Sequence, residues 1–579
     1  MGEVTLHYLQ EHHLLVFLVQ VLLLLGLARG LGYLCTRVGQ PAILGEIVTG
    51  VLLGRTILGR AAPAAHDWLF PANPLQHAML ETVAWVGLLL LLLAAGLEVD
   101  VSVAWRQRRD AFKIAVTDIV LPMAVAFVPA LLLPDRYLAD PAQRLLFALF
   151  IATVMTISAL PMSVKTLHDL GLLKTDLGLL IMSALTINDI IGWAIFTMVL
   201  GVAGQAGPNL GHLLLVLAGT VGFAALCLTV FRRLVVGAVG RVKRGVGTDA
   251  GLVLTFVCCL GLAAGVVTQA LGVHALFGFF LAGIMAGDAP ALSEQTRQVI
   301  NRMVYAVFVP IFFATIGLQI DFLANFDVWL VLLLTVVGVG GRYLGAWVGA
   351  RMTSLSRWDR VSVAIAHTPG GSMEMVVAFI ALQVGLITGP VFVAIVFAAV
   401  ASSVALGPWM AWSVRRRPRV ALVDLFARRA APLDLAATTR TEAIRELCEA
   451  AAEEPGMPDA DTLLAAVRAR EETAGTALGN AVAAPHARLA ELKRPVVVAG
   501  RSACGIEWNT PDGLPVHLAF LILTPRGRDD LQVQVLGGVA RAVGPEEVRR
   551  RLLAAADSGQ ARAVLRDVLG GQDVIAPPR

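Results

Sequence analysis

The chain has 579 residues, 57% of them hydrophobic and 15% charged, with a formal net charge of +4. Soluble domains carry roughly 25% charged residues, so this composition excludes an ordinary soluble enzyme, and the small net charge argues against nucleic acid as a partner. Six cysteines (Cys35, Cys227, Cys258, Cys259, Cys448 and Cys504) show no metal-ligand spacing and four fall in apolar runs, so neither a disulfide framework nor a zinc site is indicated and no cofactor is expected.

The expected fold is a polytopic α-helical membrane protein followed by a soluble α/β domain. In chain order the apolar runs fall near residues 12–35, 41–59, 79–98, 111–133, 143–165, 176–203, 209–231, 250–270, 273–287, 301–320, 327–350, 360–385 and 390–413, a pattern of about 13 transmembrane helices. The first is not read as a cleaved signal peptide, because its leader holds Glu3 and Glu11 but no Lys or Arg, and no small-residue cleavage site follows. Basic residues alternate by loop: 22, from Arg29 and Arg37 through Arg106 to Arg415 and Arg419, face only Arg55, Arg60, Arg136 and Arg144 on the other side. The basic side is cytoplasmic. The amino terminus is therefore expected outside, and everything after Arg415 in the cytoplasm of a cell bounded by this plasma membrane.

Two runs carry breaks that spanning helices avoid. The fifth holds TISALPMS, Thr156 to Ser163, with Pro161 at mid-depth; the twelfth holds HTPGGSMEM, His367 to Met375, with Pro369, Gly370 and Gly371. Proline and paired glycines interrupt the backbone ladder, and the freed groups must meet something polar. Breaks seven segments apart are what a six-plus-six internal repeat around a linking seventh segment would give, and matched breaks point to a transporter's midplane site. The half-helix ends left there would stabilise a cation and an opposing charge. Between them in sequence, the sixth run, IMSALTINDIIGWAIF, sets Asn188 and Asp189 side by side. An ionised aspartate at the bilayer centre costs roughly 2.5 to 3.5 kcal/mol on the mildest scale, so Asp189 is expected to face a watered cavity and bind something. The alternative is a structural acid permanently paired with a basic side chain. Glu46, Glu98 and His274 are read as helix-end or core residues.

After Pro418 the composition shifts, giving a membrane domain over 1–418, a linker over 419–432 and a soluble domain over 433–579. Thr439 and Glu442 are spaced as a capping box at the head of a helix. Residues 495–502 and 515–524 are β-rich, and helices are expected from Asp529 and Pro545. His486 follows a proline in a small-residue loop. On residues alone it is either a plain surface histidine or a nucleophile that accepts and passes on a phosphoryl group.

Together, PAILGEIVTGVLLGRTILG, LLLLLAAGLEVD, SALPMSVKTLHDLGLL, ALTINDIIGW, LGVHALFGFFLAGI and FVPIFFATIGLQIDF, in this order across about residues 12 to 413, resemble the monovalent cation/proton antiporter-2 family, the sodium/hydrogen exchanger domain. The resemblance implies inverted repeats, a core with two crossing interrupted helices and a stationary dimerisation domain, hence a homodimer. It also implies that Asp189 binds cation and proton in turn. Asparagine before the acid, and Arg342 where many relatives have lysine, resemble the electroneutral branch. In the tail, the arginine and glutamate at 470–471 followed by T, G and A-x-P-H resemble the fructose/mannitol-type enzyme IIA domain of the sugar phosphotransferase system, over roughly 433–570. This implies that His486 is the phospho-acceptor, that Arg470 supports the phosphate and that a phosphocarrier protein is a partner. A second active-site histidine normally precedes a pattern like LQVLGGLAR, which here reads QVQVLGGVAR. Here Gln532 stands in its place, so a sensing or inhibitory role carries over and onward transfer does not.

The chemistry also follows without the resemblance. Desolvation favours a protonated carboxylate and a bound cation favours the charged one, so one buried acid can exchange Na⁺ or K⁺ for H⁺ one for one. Thr156 and Ser158 can supply neutral oxygens to the cation. Asn188 is expected to hold a broken helix end rather than titrate. Arg342 is a fixed countercharge with Glu374 as its candidate partner, the two being read as a structural pair. Two other classes compete: a sodium-coupled solute symporter, which would need more polar groups in the cavity, and a sugar phosphotransferase permease, which would need a phosphocysteine domain that Cys448 and Cys504 do not supply. Phosphorylation of His486 would add about 1.5 to 2 negative charges, attractive to the basic loops at 232–244 and 415–419, and is expected to bias transport.

Overall fold

The computed structural model describes residues 11–99, 108–203, 210–246, 250–289, 292–417, 419–427, 433–473, 475–492, 494–526, 529–569 and 573–575. Glu3, Arg106, Pro418 and the end of the linker (428–432) lie outside them. Two compact units divide between Trp412 and Ser413.

The first unit is helical: α1 (Glu11–Arg37), α2 (Ala42–Leu53), α3 (Pro74–Glu98), α4 (Arg108–Leu131), α5 (Arg144–Val154), α6 (Leu160–Asp169), α7 (Asp176–Ala203), α8 (Leu210–Leu226), α9 (Arg232–Val246), α10 (Ala250–Ala270), α11 (Ala275–Gly287), α12 (Glu294–Met303), α13 (Val309–Gln319), α14 (Val328–Arg351), α15 (Arg357–Ala366), α16 (Gly371–Gln383) and α17 (Gly389–Arg415). Lipid offers no hydrogen bonds, so apolar sequence spans as helix, and its ends are held by side chains. Asn73 accepts from the Leu75 amide at 2.9 Å, and Asp327 from Leu330 at 3.1 Å. Among the described residues 11 helices are long and apolar enough to cross a bilayer, against thirteen apolar runs in the sequence. The two runs that fall short are the fifth, whose α5 stops after 11 residues, and the ninth, whose α11 has 13.

An internal repeat is written in close backbone approaches. Gly45 and Gly50 on α2 and Gly54, which caps it, have the same spacing as Gly278, Gly283 and Gly287 on α11. Pro41 and His274 cap these helices with matching dihedrals, φ −61° and ψ 139° against φ −61° and ψ 138°. A Cβ on Gly317 of α13 would lie 2.8 Å from the Gly50 Cα, and one on Gly283 would lie 2.8 Å from the Gly96 Cα of α3. Likewise a Cβ on Gly45 would strike Leu31 and Gly32 of α1, and one on Gly278 would strike Ala264 and Gly265 of α10. Small residues let helices meet at backbone distance, where packing replaces the hydrophobic drive that lipid lacks.

The second unit is built on a six-stranded sheet of β2 (Leu433–Asp434), β3 (Ala477–Gly479), β4 (Val482–Ala483), β5 (His486–Leu489), β6 (Val496–Ile506) and β7 (Val516–Pro525), in the order β2-β6-β7-β4-β3, with β5 pairing parallel to β7. A separate pair joins β1 (Arg419–Ala421) to β8 (Asp573–Ile575). Alternation along the central strands feeds two apolar layers. Val498 and Leu521 join Leu447 of α18 (Arg440–Ala452) and Val467 of α19 (Ala460–Thr473), whereas Val497 and Ile522 join Val535 of α20 (Asp529–Val543) and Leu565 of α22 (Ser558–Leu569). The Thr439–Glu442 capping box is formed. The two β-rich stretches are β6 and β7, and helices start at Asp529 and, as α21 (Glu546–Ala554), immediately after Pro545.

Candidate functional site

The two broken runs meet at their breaks. The Ala159 amide, where α6 begins, donates to the Pro369 carbonyl at 2.7 Å; Ser158 Oγ donates to the His367 carbonyl at 3.0 Å and Ser163 Oγ to Ala366 at 2.5 Å. Carbonyls freed at the end of α15 are thus answered by α6 and the irregular stretch just before it, as buried backbone requires. Gly371 opens α16 at φ +56°, and a Cβ there would run into Ala159. Only glycine combines that dihedral with that approach. Thr156 Oγ1 donates to the Thr153 carbonyl at 2.7 Å. Both hydroxyls expected to serve a cation therefore spend their protons on backbone and keep oxygen lone pairs.

Asp189 lies on α7 with 7% of its surface exposed, and its Oδ1 is buried without a hydrogen bond. No hydrogen bond joins it to Thr156 or Ser158. Arg342 and Glu374 are fully buried and paired at 3.2 Å, and the same guanidinium nitrogen donates to the Ile157 carbonyl in the first break at 2.9 Å. A Cβ on Gly370 would run into the Glu374 carboxylate. The pair thus ties α14 and α16 to the α5–α6 break, while Asp189 has no such basic partner among the described residues.

Asn188 departs from expectation. Its Nδ2 donates to Asp118 Oδ2 on α4 at 2.9 Å, rather than directly to a broken helix end. The same Asp118 oxygen lies 2.9 Å from His367 Nδ1, the residue that ends α15. Asp118 and His367 were not singled out from sequence. Asp118 carries the signal that exposed Asp189, an acid inside an apolar run, and His367 heads the HTPGG motif.

In the tail, His486 opens β5, is 8% exposed and has Nδ1 2.9 Å from the Ala484 carbonyl. A carbonyl only accepts, so Nδ1 carries the proton and Nε2 the lone pair. Burial pushes the His486 pKa below its ordinary value; the Ala484 carbonyl opposes this, and the charges of Arg470 and Arg488 push further down. Gln532, in the place of a second histidine, accepts from Arg488 Nε. Glu471, beside Arg470, is held by the Thr476 amide at 3.2 Å and by Trp508 Nε1 at 3.3 Å.

A family model described as the transmembrane sodium/hydrogen exchanger matches residues 21–415. The chain belongs to the sodium/hydrogen exchanger family. A second model, for the EIIA 2 domain of the phosphoenolpyruvate-dependent sugar phosphotransferase system, matches residues 424–568 and marks the C-terminal domain. The exchanger domain is 30% identical over 401 residues to Cation/H(+) antiporter 20 of Arabidopsis thaliana, covering 66% of this chain and 47% of the plant protein. The chain spans about half the length of the plant relatives it matches. It is 26% identical over 399 residues to the Na(+)/H(+) antiporter NhaS4 of Synechocystis, covering 68% of this chain and 96% of NhaS4. Among solved structures, the sodium proton antiporter MjNhaP1 of Methanocaldococcus jannaschii shares the fold, with a TM-score of 0.54 at 15% identity over 70% of this chain and 99% of its own.

The geometry of the exchanger domain limits its chemistry. Near the breaks, Glu374 is paired with Arg342 and one oxygen of Asp118 is engaged by Asn188 and His367, whereas among the described residues neither a basic side chain nor a hydrogen-bond donor is found on Asp189 Oδ1. A carboxylate in that setting can take a proton or a cation, and neither demands a second charge change nearby.

Proposed function

We propose that the chain is an antiporter exchanging a monovalent cation, Na⁺ or K⁺, for a proton, electroneutrally, as a homodimer in the plasma membrane, with its amino terminus outside and its EIIA-like domain in the cytoplasm. The observation that carries this is Asp189: buried at mid-helix and, among the described residues, without a basic partner, whereas Glu374 is paired with Arg342. Asp189 is the alternating carrier. Asn188, Ser158 and Thr156 are the neutral groups around it, and Arg342 with Glu374 stabilises the crossing. The names of the relatives, cation/proton and sodium/proton antiporters, support the same reading.

The tail regulates this transport. His486 presents Nε2 as an acceptor for a phosphoryl group from a phosphocarrier protein, Arg470 supports the phosphate, and Gln532 gives no second histidine to pass it on. Proton flux in liposomes holding the purified full chain tests the antiport reading. Adding Na⁺ or K⁺ should dissipate a preset pH gradient without current, while sugar does nothing; a sugar-dependent flux or no cation response overturns it. Flux compared before and after phosphorylation, and in His486→Ala, tests the tail. Equal rates in all three overturn regulation through His486.

A further inference from the structure

Around His486 the sheet of the tail sets polar side chains on one face. Along β5, Ala487 and Leu489 enter the apolar layer under α18 and α19, so His486 and Arg488 project from the opposite face, the one covered by α20. β7 runs parallel beside it, with Ile522 opposite His486 and Thr524 opposite Arg488. Ile522 belongs to the α20 layer, and Thr524, two residues further along the strand, shares its side. Gln532 reaches the same place from α20, where its Oε1 accepts from Arg488 Nε. Thr524 is fully buried, and among the described residues its Oγ1 has no hydrogen-bond partner. A buried hydroxyl without a partner is costly, and valine would fill the same space without that cost.

A phosphoryl group on His486 Nε2 would bring three acceptor oxygens and about 1.5 to 2 negative charges to this face. A guanidinium and a hydroxyl are donors suited to them. We propose that Arg488 and the Thr524 hydroxyl bind the phosphoryl group carried by His486, with Gln532 as the positioning residue that holds Arg488 at the site. This rests on the reading of His486 as phospho-acceptor. The Gln532 amide is neither a nucleophile nor a base at neutral pH, so it fixes the guanidinium and takes no phosphoryl group itself. With phosphoramidate as donor, the Nε2 lone pair attacks phosphorus and the P–N bond breaks, its pair leaving with ammonia. The imidazole keeps its Nδ1 proton on the Ala484 carbonyl and carries the positive charge. In the reverse step ammonia attacks phosphorus and the pair returns to Nε2.

The test equilibrates the full chain in detergent with phosphoramidate and ammonium at fixed pH and reads, by mass, the phosphoramidate-to-ammonium ratio that half-phosphorylates His486. Arg488→Met and Thr524→Val should each raise that ratio about tenfold, equivalent to ~1.4 kcal/mol. Unphosphorylated Thr524→Val should unfold at a temperature no lower than the parent. Gln532→Ala should also raise the ratio, and Gln532→Ala combined with Arg488→Met should be no worse than Arg488→Met alone. An unchanged ratio in Arg488→Met or in Thr524→Val overturns that residue's contact with the phosphoryl group. A destabilised Thr524→Val protein before phosphorylation shows that the hydroxyl is already spent in the fold and overturns its role as well. Effects that multiply in the double variant overturn the positioning role of Gln532. A parent that takes no phosphoryl group, or a His486→Ala variant phosphorylated as fully as the parent, would instead remove the phospho-acceptor reading beneath all three.

Discussion

Arg342 and Glu374 show how much one buried residue can hold. Removing one partner of a fully buried ion pair leaves an uncompensated charge, at a cost of about 3 to 5 kcal/mol, whereas replacing both with apolar residues of similar volume is often neutral. Arg342→Met should therefore sharply lower the temperature at which the detergent-solubilised protein loses its monodisperse chromatographic peak. Arg342→Met with Glu374→Met should recover most of the loss. A single variant as stable as the parent would show that the pair at 3.2 Å does not hold the crossing. His486 yields a pH prediction for the tail unit, which has its own apolar layers on both sheet faces. Its pKa is held down in the folded state, first by burial, so at mildly acidic pH the unfolded chain binds more protons than the folded one. The stability this contributes is present above the unfolded value of about 6.5 and is lost as pH falls through the folded value. Urea unfolding of residues 413–579 should show stability dropping as pH is lowered from neutrality, and His486→Gln should flatten that slope; an equal slope in both would contradict it. At this scale Asp189, Arg342 and Glu374 could be found from sequence because an ionisable group in an apolar run stands out. The Asp118–His367 contact could not, since nothing in either run says which helices will be neighbours.

Among the helices, the breaks were visible because Pro161 and the run Pro369-Gly370-Gly371 weaken a spanning helix, although such residues do not decide it alone: Pro122 and Pro129 lie inside α4, Pro408 inside α17 and Gly340–Gly341 inside α14. The mutual bonding of the breaks, Ala159 to Pro369 and Ser158 to His367, depends on tertiary packing and is not encoded in either motif alone. Run length was a poorer guide: apolar sequence continues through 143–165, yet α5 ends at Val154, because hydropathy does not register a helix that stops inside the protein. The repeated glycines give a paired prediction. Gly96 and Gly317 occupy equivalent places, each against a glycine backbone across the contact, whereas a Cβ on Gly340 meets nothing within 4 Å. Gly96→Val and Gly317→Val should each sharply reduce the yield of monodisperse protein, to similar extents, because overpacking at backbone distance cannot be relieved by rotamer change. Gly340→Val should remain near the parent. Unequal losses at Gly96 and Gly317 would contradict the equivalence of the two contacts.

In the whole molecule, composition and the alternation of basic loops suffice to separate a membrane domain from a soluble tail, and the strands and helices of the tail follow from its β-rich runs and the residues that cap its helices. The sheet order does not, because β5 pairs with β7 across the intervening β6, a choice made by packing rather than by local sequence. In the proposed function, transport at this scale reduces to one carboxylate serving two ligands in turn. The direct measurement is proton flux in liposomes containing either the parent chain or Asp189→Asn, driven by a cation gradient while the membrane potential is clamped and current is recorded. The parent should exchange at a rate insensitive to potential and carry no steady current, and Asp189→Asn, as well folded as the parent, should show no cation-dependent flux. Undiminished flux in Asp189→Asn would contradict Asp189 as the carrier, and a steady current in the parent would contradict one-for-one exchange.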